Sequence, residues 1–197
     1  MIRNPENYMD FHTDFLTGAG RSMGLEWMIQ YDRERFNTWL SYTLSKSERT
    51  FGDRTVPFKY DAPHDVSLFA GYVTKKTDKV KNTLSINMQY RSGVPYYISE
   101  IAYPNMPPNQ LMYTAWTYRK DVDYIPYYPN TRIRDFFRAD LNFTTEKKMK
   151  PGTRTWQLSF LNFTGHQNPY HIFRRNGKLQ AFILIPFMPS FSVKREF

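Results

Sequence analysis

The segment from residue 93 to residue 133 holds the densest group of side chains that could bind a ligand. It is rich in tyrosine and tryptophan and is interrupted by several prolines. These aromatic side chains combine a flat apolar face with a polar tip, which suits stacking on a sugar ring or gripping a chelate. The alternative is that they only pack the segment against itself and its neighbours. The candidates for substrate contact are Tyr96, Tyr97, Tyr103, Trp116, Tyr118, Tyr127 and Tyr128.

Residues suited to catalysis are sparse by comparison. The stretch "KYDAPHD" brings Asp61, His64 and Asp65 close together, which allows a metal or acid–base interpretation. A turn at Asp61 and Pro63 that leads into a strand capped by His64 explains it more simply. The other histidines lack ligand spacing, the serines lack a Gly-x-Ser-x-Gly elbow, and the chain has no cysteine. We therefore predict a protein that is not an enzyme and that has no metal site and no cofactor.

The basic charge of the chain does not point to nucleic acid. Lysine and arginine number 27 against 18 aspartate and glutamate, for a net charge of +9. The lysines cluster in short turn-like stretches, at residues 75–81 and 147–150, and no helix carries a basic stripe. We expect these lysines to solvate the ends of hairpins, and we predict no nucleic-acid partner.

The elements that must position the aromatic segment are strands. The 197 residues suffice for one domain, and the aromatic content of 18% favours strand over helix. Almost every periodic stretch has period two, which is typical of strands with one apolar face. The sequence therefore predicts an all-β antiparallel meander of about seven long strands, at residues 22–31, 36–47, 65–74, 82–93, 135–146, 155–173 and 179–197.

Two local features lie within these predicted strands. Pro186 and Pro189 imply a bulge, a kink or a locally unpaired segment in the last one. The triplet Asn-Phe-Thr occurs at 142–144 and at 162–164, and each copy matches a glycosylation sequon. We predict that both triplets lie inside strands and that their Asn and Thr side chains share the polar face.

The predicted faces and connections depart from those of an ordinary soluble sheet. One face is almost entirely large and apolar, whereas the other is small and polar and carries Glu26, Arg91, Arg138, Asp140 and Lys194. Connections alternate between short ones (32–35, 75–81 and 147–153) and long ones (46–63 and 93–133). Strands of ten or more residues exceed the usual five to six and match the nine to eleven of a tilted transmembrane strand. This combination is typical of an outer-membrane barrel.

The end of the chain fits the same pattern. In "PSFSVKREF", Phe191, Val193 and Phe197 fall on one side of an extended strand, and Lys194 and Glu196 fall on the other. Chain termini usually fray into loose polar residues. We expect Phe197 to lie at the periplasmic lipid interface, with Lys194 and Glu196 facing the lumen.

The residues from Gly20 to Phe197 resemble the C-terminal part of the barrel of a TonB-dependent outer-membrane receptor. The resemblance rests on the order and spacing of several loose patterns: "GRSMGLEWMIQY", "WLSYTLSKSERTF", "YDAPHDVSLFAGY", "YRSGVPYY", "RIRDFFRADLNF", "TWQLSFLNFTGHQNPY" and "FSVKREF". In that family a barrel of twenty-two strands is filled by an N-terminal plug. The resemblance implies that this chain supplies the last seven strands, with residues 1–19 as the remnant of an extracellular loop.

The resemblance also implies a function and a location. The family takes up scarce large nutrients, such as siderophores, cobalamin, glycans or peptides, across the outer membrane of Gram-negative bacteria. The implied partners are outer-membrane lipid, the plug and the remaining strands, TonB acting through the plug, and the nutrient. Glu26 and Asp140 would face Arg138 and Arg91 in the lumen as ion pairs that anchor the plug. Plug, TonB box and signal peptide are not found in the sequence, so we expect this chain to be one part of a receptor.

One alternative from another class remains open. A soluble all-β module could use the tyrosine-rich segment as a carbohydrate-binding platform, provided that it buries its apolar faces internally. A β-rich hydrolase is a more distant alternative, because no catalytic constellation appears in the sequence.

Overall fold

The main element of the fold is one antiparallel sheet. The computed structural model describes residues 18–98, 101–104, 121–124, 128–175 and 178–197, and these residues contain strands and no helix long and apolar enough to cross a membrane. Seven long strands follow one another along the sheet in chain order: β1 (Ala19–Arg33), β2 (Phe36–Phe51), β4 (His64–Lys76), β5 (Val80–Arg91), β10 (Phe136–Lys148), β11 (Thr153–Leu161) and β14 (Met188–Glu196). The predicted all-β antiparallel meander is thereby confirmed.

The remaining strands are short or lie off this path. One pairs with the C-terminal end of β2, and the others form three separate two-stranded pairs within the long connections. They are β3 (Arg54–Pro57), β6 (Pro95–Tyr96) with β9 (Thr131–Arg132), β7 (Ile101–Pro104) with β8 (Asp121–Tyr124), and β12 (Asn168–Arg175) with β13 (Lys178–Leu184).

The register of the strands gathers the large apolar side chains onto one face. Directly opposed residues of an antiparallel pair point to the same side, so register can be followed across the whole sheet. Leu40 lies opposite Leu68, which lies opposite Met88, which in turn lies opposite Ala139. The same holds from Phe143 to Leu158 and on to Phe191. We call this surface the apolar face, and the other side of the same strands the polar face.

Burial in the described residues is inverted relative to a soluble domain. Apart from proline and glycine, the one buried apolar residue is Ala139, whereas the buried polar residues are Asp61, Asp140, Ser159, Asn162 and Asn168. Many large side chains of the apolar face are exposed, most of all on the edge strands, with Leu25 at 62%, Trp27 at 45% and Phe191 at 66%. Within the described chain, nothing covers this face.

Aromatic residues mark both ends of the apolar face. Towards the long connections, Trp27, Tyr42, Tyr90 and Phe137 belong to one register row that crosses five strands. Towards the short turns lie Tyr31, Phe36, Tyr72 and Trp156, each within four residues of the end of its strand. The polar face is less uniform than predicted, because Trp39, Phe69 and Phe136 share it with serine, asparagine and charged residues.

The connections differ strongly between the two ends of the sheet. The turn between β1 and β2 has two residues, that between β4 and β5 has three, and that between β10 and β11 has four. The connections from β2 to β4, from β5 to β10 and from β11 to β14 all leave from the opposite end and are longer. We call the two ends the short-turn end and the long-loop end.

The predicted sixth strand is wrong as a continuous element. It ends at Leu161, and a turn with positive φ at Asn162 (47°) and Gly165 (64°) separates it from β12. The second Asn-Phe-Thr triplet therefore lies in this turn, whereas the first lies inside β10 as predicted. The left-handed backbone at Asn162 explains the error, because such a conformation cannot continue a strand.

The predicted break in the last strand is confirmed. β13 ends at Leu184 and β14 begins at Met188, with Pro186 between them and Ile185 at a φ of 55°. Pro189 lies inside β14, opposite Phe160. The first strand begins at Ala19, and residues 1–17 lie outside the described residues.

Candidate functional site

A cavity of about 700 Å³ opens on the polar face at the long-loop end. Its floor is built by side chains of β4, β5 and β10, which include Ser67, Gln89 and Phe136. The register explains the floor, because Ser67 opposes Gln89 and Phe136 opposes Arg91 on the same face. The walls come from residues that precede β4, follow β5 and precede β10, and from the start of β12.

A partly buried ion pair joins two of the long connections. Arg132 Nη2 lies 2.5 Å from Oδ2 of Asp61, whose side chain is 4% exposed. The second terminal nitrogen of Arg132 donates to the backbone carbonyls of Asp61 (2.9 Å) and Gly93 (2.8 Å). The backbone N–H of Ser47 completes the site by donating to Oδ1 of Asp61 at 2.7 Å. The connection after β2 is thereby fixed to the connection after β5.

Close backbone contact at Gly93 supports the same arrangement. A Cβ atom at this position would lie 1.7 Å from the carbonyl oxygen of Ile133. The backbone N–H of Ile133 donates to the carbonyl of Val94 at 2.9 Å. A glycine is therefore needed where the outgoing and returning parts of the long connection cross.

Tyr96 joins the cavity wall to β12. Its hydroxyl lies 2.6 Å from Nδ1 of His171 and accepts a hydrogen bond from the backbone N–H of Ile172 at 3.0 Å. The two rings also meet edge to face, with centroids 6.1 Å apart. The Tyr96 hydroxyl is thus fully used in hydrogen bonds. These bonds hold the connection from β5 to β10 against β12.

Asparagine side chains hold β12 against the end of β10. Asn168 accepts from the backbone N–H of Phe137 and donates to its carbonyl, both at 2.9 Å, which imitates a strand pairing. The fully buried Asn162 donates through Nδ2 to the carbonyls of His166 (3.0 Å) and Ile185 (2.9 Å). The hydrogen bonds of Asn162 satisfy backbone carbonyls at two interruptions, one between β11 and β12 and the other between β13 and β14.

The polar face carries its own ion pairs next to this joint. Arg138 grips Asp140 through two hydrogen bonds of 2.8 and 2.6 Å, and the same carboxylate accepts from the backbone N–H of Asn162 at 2.8 Å. Glu26, which was predicted to pair within the lumen, has no ion pair among the described residues. Arg91 pairs with Asp65 at 2.6 Å instead.

Asp135, just before β10, is held by two cavity-lining residues, Tyr90 and Gly93. The Tyr90 hydroxyl donates to Oδ2 at 2.7 Å, and the backbone N–H of Gly93 donates to Oδ1 at 2.8 Å. These two hydrogen bonds, the first above all, hold the pKa of the Asp135 carboxyl below its ordinary value.

The stretch "KYDAPHD" does not form a joint site. Asp61 pairs with Arg132, Asp65 pairs with Arg91, and His64 Nδ1 lies 2.8 Å from the hydroxyl of Tyr42 on the apolar face. No group of three or more His, Cys, Asp or Glu side chains that could hold a metal occurs in the described part of the chain. The two carboxylates of this stretch are thus each held in an ion pair, and the three side chains point to different partners.

Of the seven predicted contact residues, two line the cavity. Tyr96 and Tyr97 both do so, and Tyr97 is 40% exposed. The ring of Tyr128 lies beneath the guanidinium of Arg54, 5.5 Å from the ring centroid, and does not line the cavity. Trp116, Tyr118 and Tyr127 lie outside the described residues, and Tyr103 is described only through its backbone position in β7.

The sequence-based search missed several residues of the cavity. Tyr60 and Tyr170 line it and are 68% and 66% exposed, and Lys59 and Arg134 add positive charge. They come from connections on either side of the tyrosine-rich segment, so a search confined to that segment could not find them. Their position just beyond the long-loop ends of neighbouring strands was the sequence signal that could have identified them.

Comparison with known proteins gives no match. No protein-family model matches the chain, and no curated protein or solved structure matches it either.

Proposed function

We propose that this chain forms part of the wall and mouth of a TonB-dependent outer-membrane receptor. In this proposal the apolar face lies against lipid in the outer membrane of a Gram-negative bacterium, and the polar face lines the lumen. The long-loop end is extracellular and receives a scarce large nutrient. The short-turn end is periplasmic, and TonB acts through a plug that occupies the lumen.

The observation that carries the proposal is the exposed apolar face bounded by aromatic residues at both ends. Outer-membrane barrels carry an apolar band about 25 Å tall, flanked by aromatic girdles. In β5 the apolar face extends from Leu84, towards the short-turn end, to Tyr90, towards the long-loop end. These two residues are six positions apart, which corresponds to roughly 20 Å at the usual rise of a strand. A sheet that holds its polar residues inside and its leucines outside suits lipid as a solvent better than water.

The two edges of the sheet also support a larger assembly. Among the described residues, β1 pairs only with β2, and β14 pairs only with β11. An edge in lipid leaves backbone N–H and C=O groups unpaired at a cost of several kcal/mol each. Further strands on both edges would satisfy them, and a barrel of twenty-two strands would supply fifteen more. Seven strands put β1 and β14 in the same direction, so an odd number of added strands keeps every pairing antiparallel.

A soluble carbohydrate-binding module remains the second candidate, since exposed tyrosines line the cavity. That reading requires another surface to cover the apolar face in water. It and the receptor proposal therefore differ in what contacts the apolar face.

Two adjacent residues of β4 provide a matched test. Leu68 lies on the apolar face near the middle of the strand, and Ser67 lies on the polar face. Leu68→Arg should block assembly into the outer membrane, because arginine on the lipid side near the midplane costs about 2–4 kcal/mol. Ser67→Arg should assemble at close to the wild-type level.

The measurement is the amount of heat-modifiable, protease-resistant protein in purified outer membranes. Equal assembly of both variants would contradict the assignment of the faces. Recovery of the wild-type protein in the soluble fraction would favour the soluble module instead.

A further inference from the structure

The cavity at the long-loop end carries an uncompensated positive charge. Arg91 is neutralised by Asp65 at 2.6 Å, whereas Lys59 and Arg134 form no ion pair with any described residue. The carboxylate of Asp135 is engaged by Tyr90 and Gly93 and does not line the cavity. The Lys59 ammonium instead lies over the Tyr60 ring, 4.6 Å from its centroid. A ligand that enters the cavity therefore meets two cations without a carboxylate partner and no free carboxylate among the described lining residues.

Three exposed tyrosines stand around the same cavity on three separate segments. Tyr60 follows β3, Tyr97 follows β6, and Tyr170 lies in β12. No hydroxyl group of these three has a hydrogen-bond partner among the described residues. This distinguishes them from Tyr96, whose hydroxyl is occupied by His171 and Ile172. The rings of Tyr97 and Tyr170 are therefore available to stack on a ligand while their hydroxyls bond to it. The ring of Tyr60 already meets Phe58 edge to face and lies 4.6 Å from the ammonium nitrogen of Lys59, so it offers its hydroxyl and its remaining exposed surface.

The floor of the cavity offers neutral polar groups. Ser67 and Gln89 face each other across β4 and β5 and line the cavity. A side-chain amide provides two donors and an acceptor, and a serine hydroxyl provides both functions, which matches the hydroxyl groups of a sugar. The volume of about 700 Å³ accommodates several sugar rings.

We propose that this cavity binds an acidic oligosaccharide. The two available tyrosine rings stack on successive ring faces, the floor bonds to ring hydroxyls, and Lys59 and Arg134 bind carboxylate or sulfate groups. This inference rests on the proposed receptor function for the origin of the ligand, but the cavity itself can be tested separately.

The test uses outer-membrane vesicles that contain the assembled protein and equilibrium dialysis with labelled tetragalacturonate. Its fully methyl-esterified form is the matched neutral probe, because it keeps the rings and loses the charge. We expect the acid to bind at least tenfold more tightly than the ester, and we expect added salt to reduce this difference.

Variants divide the contributions of charge and stacking. The double variant Lys59→Gln/Arg134→Gln should abolish the preference for the acid over the ester, whereas Tyr170→Ala should weaken both probes by a similar factor. Lys150→Gln, in a short turn at the other end of the sheet, should leave both affinities unchanged. Equal binding of acid and ester by the wild type, or no binding of either by correctly assembled protein, would overturn the proposal.

A ferric tris-catecholate is the competing anionic ring ligand. Its tight binding in place of tetragalacturonate would also overturn the inference, although the receptor proposal would stand. If the protein is found in the soluble fraction, the receptor proposal fails, and the same dialysis on the soluble protein still decides the ligand class.

Discussion

The two faces of the main sheet share every strand but are organised in opposite ways. Side chains of the apolar face contact one another as neighbours in a layer, with Leu25 and Phe191 more than 60% exposed. The polar face, by contrast, is bound together by specific hydrogen bonds at its long-loop end, where Asp140 and Asn162 are buried. The polar face is therefore specified by particular hydrogen bonds and ion pairs, whereas the side chains of the apolar face are held by register alone and lie uncovered in the described residues.

The largest effect is expected from breaking the ion pair of the polar face. Asp140→Ala leaves Arg138 and the N–H of Asn162 without their acceptor, and 25% of the Arg138 side chain reaches solvent. We expect the free energy of unfolding to fall by about 2–3 kcal/mol, less than for a fully buried pair. Urea unfolding of the protein in micelles, followed by tryptophan fluorescence, measures the change.

The pair between Lys194 and Glu196 on the same face is the matched control. Its side chains are 71% and 60% exposed, so Glu196→Ala should leave the midpoint of unfolding unchanged. Similar losses from both variants would mean that the polar face is not organised around Asp140.

A somewhat smaller effect is expected at the strand joint. Asn162→Ala removes hydrogen bonds to His166 and Ile185 and places an alanine at a φ of 47°. We expect a loss of about 2 kcal/mol in the free energy of unfolding, since buried acceptors lose their donor. Asn142→Ala, in the other Asn-Phe-Thr triplet within β10, should cost less than half as much. A larger loss from Asn142→Ala than from Asn162→Ala would contradict the structural role that we assign to the second triplet.

The smallest effect concerns the boundary of the apolar face. Tyr90 belongs to its aromatic row, yet its hydroxyl reaches out to Asp135. Because the pKa of Asp135 is lowered in the folded protein, its contribution to stability is present above about pH 4, the unfolded pKa, and is lost as the pH falls through the folded pKa.

Tyr90→Phe removes the largest cause of this shift, so the pKa of Asp135 should rise towards its ordinary value. An NMR titration of the Asp135 carboxyl in micelles measures the change, with Tyr72→Phe at the short-turn end as the control. An unchanged pKa in Tyr90→Phe would show that the hydroxyl does not hold the carboxylate.

The strands of the main sheet could be predicted from the sequence because their alternation is visible over ten or more residues. Leu84, Ile86 and Met88, for example, share a face by spacing alone, and the register confirms it. The break after Leu161 could not be predicted, because it depends on hydrogen bonds between Asn162 and residues that the sequence pattern does not join. Two identical Asn-Phe-Thr triplets thus take different structures through their surroundings.

The candidate site was predictable only in outline. Tyr96 and Tyr97 could be predicted as cavity residues because the aromatic composition of their segment alone identified it as a candidate binding region. The ion pair between Arg132 and Asp61 joins residues that are 71 positions apart, and no sequence motif predicts that they meet. The cavity is assembled by such contacts between connections, whose mutual approach depends on the completed sheet.

In the proposed receptor the apolar face meets lipid and the polar face does not. Trp27 and Trp156 lie on the apolar face, and Trp39 lies on the polar face beside Arg138 and Asp140. The most direct measurement is fluorescence quenching by lipids brominated along their acyl chains, in three variants that each retain one of these tryptophans. Each variant carries phenylalanine at the other three tryptophan positions of the chain, including Trp116. We predict strong quenching of Trp27 and Trp156 and little quenching of Trp39, whereas equal quenching of all three, or of none, would contradict the assignment of the apolar face to lipid.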